Sequence, residues 1–114
     1  MKKPELLISI ASYCDDELIK TINSLLENAA DKNNLHIVVF NQSEYPENIN
    51  HINVTEVYSN YTTTKGVVWA REQIRNYVKP HHKYYLQIDA HMRFDKGFDT
   101  KLINHHNDYK GKVI

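Results

Sequence analysis

One stretch of the chain, residues 83–94 (KYYLQIDAHMRF), passes abruptly from apolar to ionisable side chains. Its apolar part alternates with a period of two, which is typical of a buried strand, and the same period places Asp89 and His91 on one side. Ligands bind open α/β sheets at the carboxyl ends of the strands. The pattern therefore predicts a strand that ends in a site with a carboxylate and an imidazole. In the alternative interpretation, Asp89 caps the following turn and His91 is a surface residue.

The length and composition are those of one globular domain. The chain has 114 residues, of which 41% are hydrophobic and 25% are charged. Its 14 Lys and Arg residues balance 14 Asp and Glu residues, which argues against a nucleic-acid partner. The single cysteine, Cys14, cannot form an internal disulfide, and the apolar run at residues 6–11 is too short for a secretory signal or a membrane span. We therefore expect a cytoplasmic protein with no membrane span.

Strand and helix patterns alternate along the chain, which predicts a parallel sheet with right-handed crossovers. The predicted strands are residues 6–11, 35–40, 54–58 and 84–88, with a further strand beginning at residue 111. The predicted helices are residues 18–29, 67–78 and a short one over 98–106. We expect the third strand near the sheet edge and the fourth at its centre. The predicted fold class is α/β, a doubly wound, mainly parallel, Rossmann-like sheet with helices on both faces.

Polar residues follow the predicted strands, and each has two interpretations. Asp15 and Asp16, after the first strand, either contact a ligand or cap the helix that follows. The amides at residues 41–43 (NQS), after the second strand, either read a nucleobase edge or form a turn. Arg71, on the second turn of its helix, either reaches a diphosphate or is solvated, and Trp69 is predicted to pack.

Motifs for two other chemistries are absent. The adjacent pairs at residues 81–82 and 105–106 cannot direct both imidazoles to one ion, and no H-E-x-x-H or C-x-x-C occurs, so structural zinc is not expected. Cys14 has no identifiable activating partner and G-x-S-x-G is missing, so the sequence does not predict a nucleophilic hydrolase.

Two candidate ligand sites remain. Residues 61–66 (YTTTKG) place hydroxyls, a lysine and a glycine before a helix, which suits an anion, although the glycine spacing of a P-loop is lacking. Asp89 and His91 are the more concentrated signal. One carboxylate and one imidazole suit Mn²⁺ or Mg²⁺ when diphosphate oxygens and waters complete the coordination shell.

Five stretches, taken in order, carry a resemblance to a known family. They are residues 8–13 (ISIASY), 16–22 (DELIKTI), 41–42 (NQ), 66–71 (GVVWAR) and 85–94 (YLQIDAHMRF). In this order they resemble the UDP-GlcNAc glycosyltransferases typified by the Skp1 hydroxyproline GlcNAc-transferase, a family with the GT-A fold. The segment Q-I-D-x-H-M together with the upstream W-A-R is the most specific part of the resemblance.

The resemblance implies donor-binding roles for seven residues: Ala11, Ser12, Tyr13, Asn41, Arg71, Asp89 and His91. The first three match the loop that lines the uridine pocket, and Asn41 matches a base-reading position. Arg71 is implied to lie near the diphosphate. Asp89 and His91 match a D-x-H motif that binds Mn²⁺ and, through it, the diphosphate of the sugar nucleotide.

The implied activity is metal-dependent transfer of GlcNAc from UDP-GlcNAc to a hydroxyl of a protein or glycan acceptor, with retention of configuration. Residues 1–114 match only the nucleotide-sugar half of a GT-A domain, so the sheet is expected to be truncated on its C-terminal side. The third metal ligand, the acceptor surface and any catalytic carboxylate are expected in the half that is not matched, so the alternatives are a fragment, a truncated gene product and one half completed by another chain. Self-association is expected because a sheet that lacks half its cover exposes apolar surface. The alternatives are a non-catalytic UDP-sugar-binding module or scaffold, and a phosphohydrolase that cleaves nucleotide diphosphates.

Overall fold

Four strands form one sheet in the computed structural model, which describes residues 3–108. Short 3₁₀ helices precede β2 and α2. The elements in chain order are β1 (Leu6–Tyr13), α1 (Leu18–Asn28), β2 (Leu35–Ser43), β3 (Val54–Asn60), α2 (Val67–Arg75), β4 (Tyr84–Ile88) and α3 (Phe98–Asp108). Every strand and helix that the sequence predicts within this range is present.

The strands lie in the order β3-β2-β1-β4, and all three pairings are parallel. Ser12 on β1 lies opposite Asn41 on β2, and Ile10 on β1 lies opposite Ile88 on β4. The strand order reverses between β1 and β4, and this is the switch point at which α/β sheets bind their ligands. The predicted doubly wound parallel sheet is confirmed, with β3 at one edge as expected.

Two apolar layers cover the two faces of the sheet. On one face, Ile8 of β1 belongs to a buried cluster with Leu25 of α1 and Phe98 of α3. On the other face, Leu7 belongs to a second cluster with Ile74 of α2. Successive residues of a strand point to opposite faces, so a single apolar strand supplies both layers. Each fully buried aliphatic side chain contributes about 1.5–3 kcal/mol, which holds the helices on both sides of the sheet.

The fourth strand is at the edge of the described sheet, whereas the sequence predicts it at the centre. β1 pairs with one side of β4, and no strand within residues 3–108 pairs with the other side. Leu86 and Ile88 are buried, but Gln87 between them is exposed. The central placement was wrong for the described residues because alternation identifies a buried face and carries no information about which strands lie alongside.

The second helix packs as predicted but ends early. Trp69 lies edge-on against Phe40, with 5.2 Å between the ring centroids, which confirms its packing role. The helix ends at Arg75 instead of continuing to residue 78. The backbone N–H of Val78 donates to the carbonyl of Arg75, three residues back, at 3.1 Å. The last turn is therefore tightened in the 3₁₀ manner, as is common at helix ends.

The last described element, α3, spans 11 residues, longer than the short helix predicted there. The strand predicted from residue 111 lies outside the described residues. Within residues 3–108, each helix is too short or too polar to cross a bilayer.

Candidate functional site at the carboxyl edge of the sheet

The carboxyl ends of β1, β2 and β4 bring the predicted site residues to one edge of the sheet. Parallel pairing sets Ser12 beside Asn41. Asp89 follows directly after Ile88, which pairs with Ile10 of β1. Residues that are up to about 80 positions apart in the sequence therefore meet at the switch point, as the strand pattern predicts.

The loop after β4 is tied to α1 by two hydroxyl groups. Thr21 is fully buried; its Oγ1 donates to the carbonyl of Ala90 at 2.9 Å and accepts the N–H of Met92 at 3.0 Å. One turn further along α1, Ser24 Oγ accepts the N–H of Phe94 at 2.9 Å. These bonds satisfy the backbone of a loop that has no strand or helix pairing of its own.

The alternation that places Asp89 and His91 on one side holds only as far as Ile88, where β4 ends. Asp89 is exposed, and its carboxylate makes no hydrogen bond or ion pair with the residues described. His91 is 62% exposed, and its Nδ1 lies 3.0 Å from Oδ2 of Asp15 at the start of α1. Asp15 also accepts the N–H of Glu17 through Oδ1 at 2.9 Å, immediately before α1 begins. Its carboxylate thus closes a turn before α1 and contacts the loop after β4. Helix α1, whose N-cap is Glu17, has no side-chain cap hydrogen bond, so the capping interpretation of Asp15 and Asp16 was wrong.

Charge pairing shifts the pKa values of these groups in opposite directions. The hydrogen bond that His91 donates to Asp15 raises the pKa of His91, and the negative charges of Asp15 and Asp89 add to the effect. Partial burial works to raise the pKa of Asp15, but the hydrogen bonds from His91 and from the N–H of Glu17 outweigh it and lower the pKa. The Asp15 carboxylate is therefore ionised at neutral pH and acts only as a hydrogen-bond acceptor.

The described residues provide only part of a coordination shell for the predicted metal ion. Among residues 3–108, no group of three or more His, Cys, Asp or Glu side chains is arranged to hold an ion. Asp89 and His91 nevertheless provide one oxygen and one nitrogen donor, and the carboxylate is exposed and unpaired there. Ions such as Mg²⁺ are commonly bound by one or two carboxylates together with substrate phosphates. These donor types suit an ion whose coordination shell a diphosphate would complete.

Arg71 reaches the same region from α2. It lines a cavity of about 460 Å³ together with Gln87 and Asp89. The Gln87 carboxamide, with its oxygen toward the guanidinium, accepts from Arg71 Nε at 2.9 Å and from Nη1 at 3.2 Å. A guanidinium has five N–H donors, so the two given to Gln87 leave three. Arg71 and Asp89, which the resemblance places near one diphosphate, thus line the same cavity, with no direct ion pair between them in the described residues.

The first loop lines a separate cavity of about 330 Å³. Ala11, Ser12 and Tyr13 form one wall, and residues before and within α2 form the other: Thr64, Gly66 and Val67. Gln42 also lines this cavity, and it is held by a hydrogen bond from Thr64 Oγ1 to its Oε1. The sequence indicated residues 61–66 as an anion site but did not associate them with the first loop, because no local pattern relates the two segments.

Asn41 faces the opposite side of the sheet from Gln42. It is 2% exposed, and its Nδ2 donates to Oε2 of Glu56 on β3 at 2.9 Å. It lines a third cavity, of about 500 Å³, with Tyr45 and Tyr61. The predicted base-reading residue and the uridine-pocket loop therefore line different cavities. The period of two in β2 could have shown this, because adjacent strand residues always point apart.

Glu56 organises the loop around Asn41. Its carboxylate accepts the backbone N–H groups of Glu47, at 2.8 Å, and of Ile49, at 3.2 Å, besides the Asn41 amide. Partial burial works to raise the pKa of Glu56, but these hydrogen bonds outweigh it and lower the pKa. Glu56 was not among the predicted site residues, because its position in an alternating edge strand carries no functional signal.

Comparison with known proteins adds an independent observation. A family model described as "Glycosyltransferase (GlcNAc)" matches the chain in two overlapping segments, residues 5–52 and 45–113. Together the segments include all five stretches that carry the resemblance noted in the sequence. No curated protein matches the chain significantly.

Proposed function

The chain belongs to the glycosyltransferase (GlcNAc) family, and we propose that it forms the donor site of a metal-dependent enzyme that transfers GlcNAc from UDP-GlcNAc to a hydroxyl. The observation that carries this proposal is the cavity shared by Arg71 and Asp89 beside the β1–β4 switch point. A cation on one wall and an unpaired carboxylate at the strand end are the groups that a diphosphate and its counter-ion require.

Arg71 binds the diphosphate in this proposal. Its guanidinium projects from a packed helix, and two of its donors are held by Gln87, so its orientation is set before a ligand arrives. The remaining donors can engage phosphate oxygens in the planar, bidentate manner that distinguishes arginine from lysine. Gln87, which was not among the predicted site residues, thereby acts as the support for Arg71.

The nucleoside lies against the first loop in this proposal. Ala11, Ser12 and Tyr13 supply the wall of the uridine pocket, and half of the Tyr13 side chain (54%) is exposed and available to a ligand. Asn41 lies outside this cavity and its Nδ2 is donated to Glu56, so in this proposal it supports the loop after β2 and does not read the base.

Asp89 and His91 would hold Mn²⁺ or Mg²⁺. When bound, the ion would act as a Lewis acid that offsets the negative charge developing on the UDP leaving group. Arg71 supplies a fixed positive charge toward the same phosphates, and such preorganised charge is effective because it needs no reorganisation during the reaction.

The acceptor is a hydroxyl of a protein or glycan in this proposal, and its binding surface is completed by further polypeptide. The outer side of β4 presents backbone groups that no strand within residues 3–108 pairs. An open strand edge beside the Asp89 cavity is a template for pairing with another strand. We propose that a further segment, a completing chain or a second copy of this chain pairs there and supplies the acceptor surface and a catalytic carboxylate.

A second candidate function is a UDP-sugar-binding module without catalysis. It is favoured by one observation: the groups that line the two cavities all suit donor binding. The two functions share the donor site and differ in turnover, so they can be separated experimentally.

Calorimetric titration of UDP-GlcNAc into the purified chain, with and without Mn²⁺, tests the donor site. The Asp89→Ala variant is compared with Asp95→Ala, which removes an exposed carboxylate from the same loop. We expect binding that requires Mn²⁺ and Asp89 and that survives the Asp95 substitution. Absence of binding by the folded wild-type chain, or equal binding by the Asp89→Ala variant, would contradict the proposal.

Product analysis then separates the functions. Release of UDP with transfer or hydrolysis of the sugar indicates the transferase, whereas binding without release indicates the module. Release of UMP would instead indicate cleavage of the diphosphate and would overturn the transferase assignment.

A further inference from the structure

His91 is held at two places by residues that precede or belong to α1. Asp15 contacts its imidazole, and Thr21 contacts the backbone on both sides of it. These residues are 76 and 70 positions away from His91 in the sequence, so the contacts exist only in the folded chain. Neither Asp15 nor Thr21 is one of the residues that bind the donor in the proposed function.

The contact with Asp15 defines the tautomer of His91. A carboxylate can only accept, so the 3.0 Å contact between Nδ1 and Asp15 Oδ2 requires the proton to be on Nδ1. In the neutral ring, Nε2 then carries the free lone pair. Histidines that bind metal ions commonly donate their other N–H to a carboxylate in this way, which sets the tautomer and ring orientation.

The contact with Thr21 defines the backbone of the same residue. Its buried hydroxyl joins the carbonyl of Ala90 to the N–H of Met92, the two neighbours of His91. Both hydrogen-bonding functions of the hydroxyl are used at once, so neither backbone group can move independently of α1. A loop with this support presents its side chain from a constant position.

The Asp15 contact has little to contribute to stability. The His91 ring is 62% exposed, and ion pairs at exposed positions contribute little because water and salt screen them. The orientation that this hydrogen bond gives the His91 ring does not depend on how much the ion pair contributes to stability. Asp15 is also anchored by its second oxygen on the N–H of Glu17, which keeps the carboxylate in place.

We propose that Asp15 and Thr21 are positioning residues that hold His91 with Nε2 presented to the metal ion. This inference rests on the proposed function, because it supposes that Asp89 and His91 bind the ion. In this role Asp15 uses Oδ2 to contact His91, while its Oδ1 accepts the N–H of Glu17.

The metal-free chain gives the first test. Long-range ¹H–¹⁵N NMR correlations distinguish Nδ1–H from Nε2–H imidazole when they are recorded at a pH above the raised pKa of His91, where the ring is neutral. We expect His91 of the wild type to be in the Nδ1–H form and the Asp15→Ala variant to lose that preference. Asp16→Ala, which removes the exposed neighbouring carboxylate, is the matched control and should leave the tautomer unchanged. An unchanged tautomer in Asp15→Ala would overturn the assignment.

Metal affinity gives the second test. Mn²⁺ is titrated into the full chain in the presence of UDP, and free Mn²⁺ is followed by electron paramagnetic resonance. We expect Asp15→Ala to weaken Mn²⁺ binding by about 10–100-fold, the usual effect of removing such a partner of a metal ligand. Thr21→Val, which has the same shape without the hydroxyl, should also weaken binding, and Thr21→Ser should restore it.

The outcomes separate this inference from the proposed function. If Asp89→Ala abolishes Mn²⁺ binding while Asp15→Ala and Thr21→Val bind as the wild type does, the positioning role is refuted and the metal site stands. If Asp89→Ala binds Mn²⁺ as tightly as the wild type does, the metal site itself is refuted, and the positioning role is lost with it.

Discussion

A chain of hydrogen bonds runs through His82 and His36, and it leads to a quantitative prediction about the pH dependence of stability. The backbone N–H of Lys79 donates to His82 Nδ1 at 2.9 Å, so that nitrogen carries no proton. His82 Nε2 therefore carries the proton and donates to His36 Nδ1 at 3.1 Å, and His36 Nε2 in turn donates to Thr55 Oγ1 at 2.9 Å. Each accepting nitrogen is occupied, so protonation of either ring breaks a hydrogen bond.

The surroundings favour the neutral rings for a second reason. Burial lowers the pKa of His36, and the charge of His81 lowers it further. Burial lowers the pKa of His82 from 6.5 to about 4, with added contributions from the positive charges of His81, His36 and Lys79. For a pKa that is lower in the folded state, the stabilisation is complete above the unfolded value of 6.5 and is lost as the pH falls toward 4.

The size of the effect follows from these values. The difference between 6.5 and about 4 corresponds to about 3 kcal/mol at most. The His82 ring is only partly buried, so solvent screening reduces the contribution to about 1–2 kcal/mol. Roughly half of it, about 1 kcal/mol, is expected to be lost by about pH 5.

Urea unfolding at about pH 7.5 and about pH 5 measures this loss in the wild type and in His82→Asn. Asn retains an acceptor for the Lys79 N–H and does not titrate. We expect the free energy of unfolding of the wild type to fall by about 1 kcal/mol more than that of the variant. His51→Asn is the control, because its Nδ1 also accepts a nearby backbone N–H, from Asn53 at 3.1 Å. Equal losses in the wild type and His82→Asn would refute the reasoning.

Three further predictions concern stability and are measured by urea unfolding. Asp99 is buried and accepts the N–H groups of Ala30 and Asp31 at 2.7 and 3.0 Å, so Asp99→Ala should cost about 1–3 kcal/mol; a loss below about 0.5 kcal/mol would contradict this. Glu56→Gln should cost about 1 kcal/mol at neutral pH and less in acid. The lowered carboxyl pKa stabilises the fold fully above the unfolded value of 4.5, and this stabilisation is lost as the pH falls below it. A difference in unfolding free energy that stays constant with pH would contradict this prediction. Gly66 has φ of +97°, with open space where a Cβ atom would lie. Gly66→Ala should therefore cost about 1–3 kcal/mol from backbone strain alone. An unchanged free energy of unfolding would contradict this cause.

Most of the fold could be predicted because it is encoded locally. Apolar runs with a period of two or of 3.6 locate strands and helices without knowledge of their partners. The alternation of strands and helices then restricts the sheet to parallel pairing with crossovers on both faces. Element ends were less accurate, as at α2, because the last turn of a helix depends on which hydrogen bonds the following loop can make.

The candidate site was predictable only in part. The rule that ligands bind at the carboxyl ends of strands correctly brought Asp89, Ser12 and Asn41 to one edge. The rule does not say which face of the sheet a side chain lies on, so it did not separate Asn41 from the first-loop cavity. It also did not indicate that His91 turns toward Asp15.

The sequence by itself determined which segments are strands and helices, which faces are apolar, and which residue types reach the ligand edge. Only the tertiary structure decided that β4 lies at the edge of the described sheet, that Gln87 supports Arg71, and that Thr21 holds the loop around His91. The physical reason is that periodicity is a property of neighbouring residues. The hydrogen bonds of Thr21 join residues 69 and 71 positions apart. They depend on how α1 packs across the end of the sheet, and no local pattern records that packing.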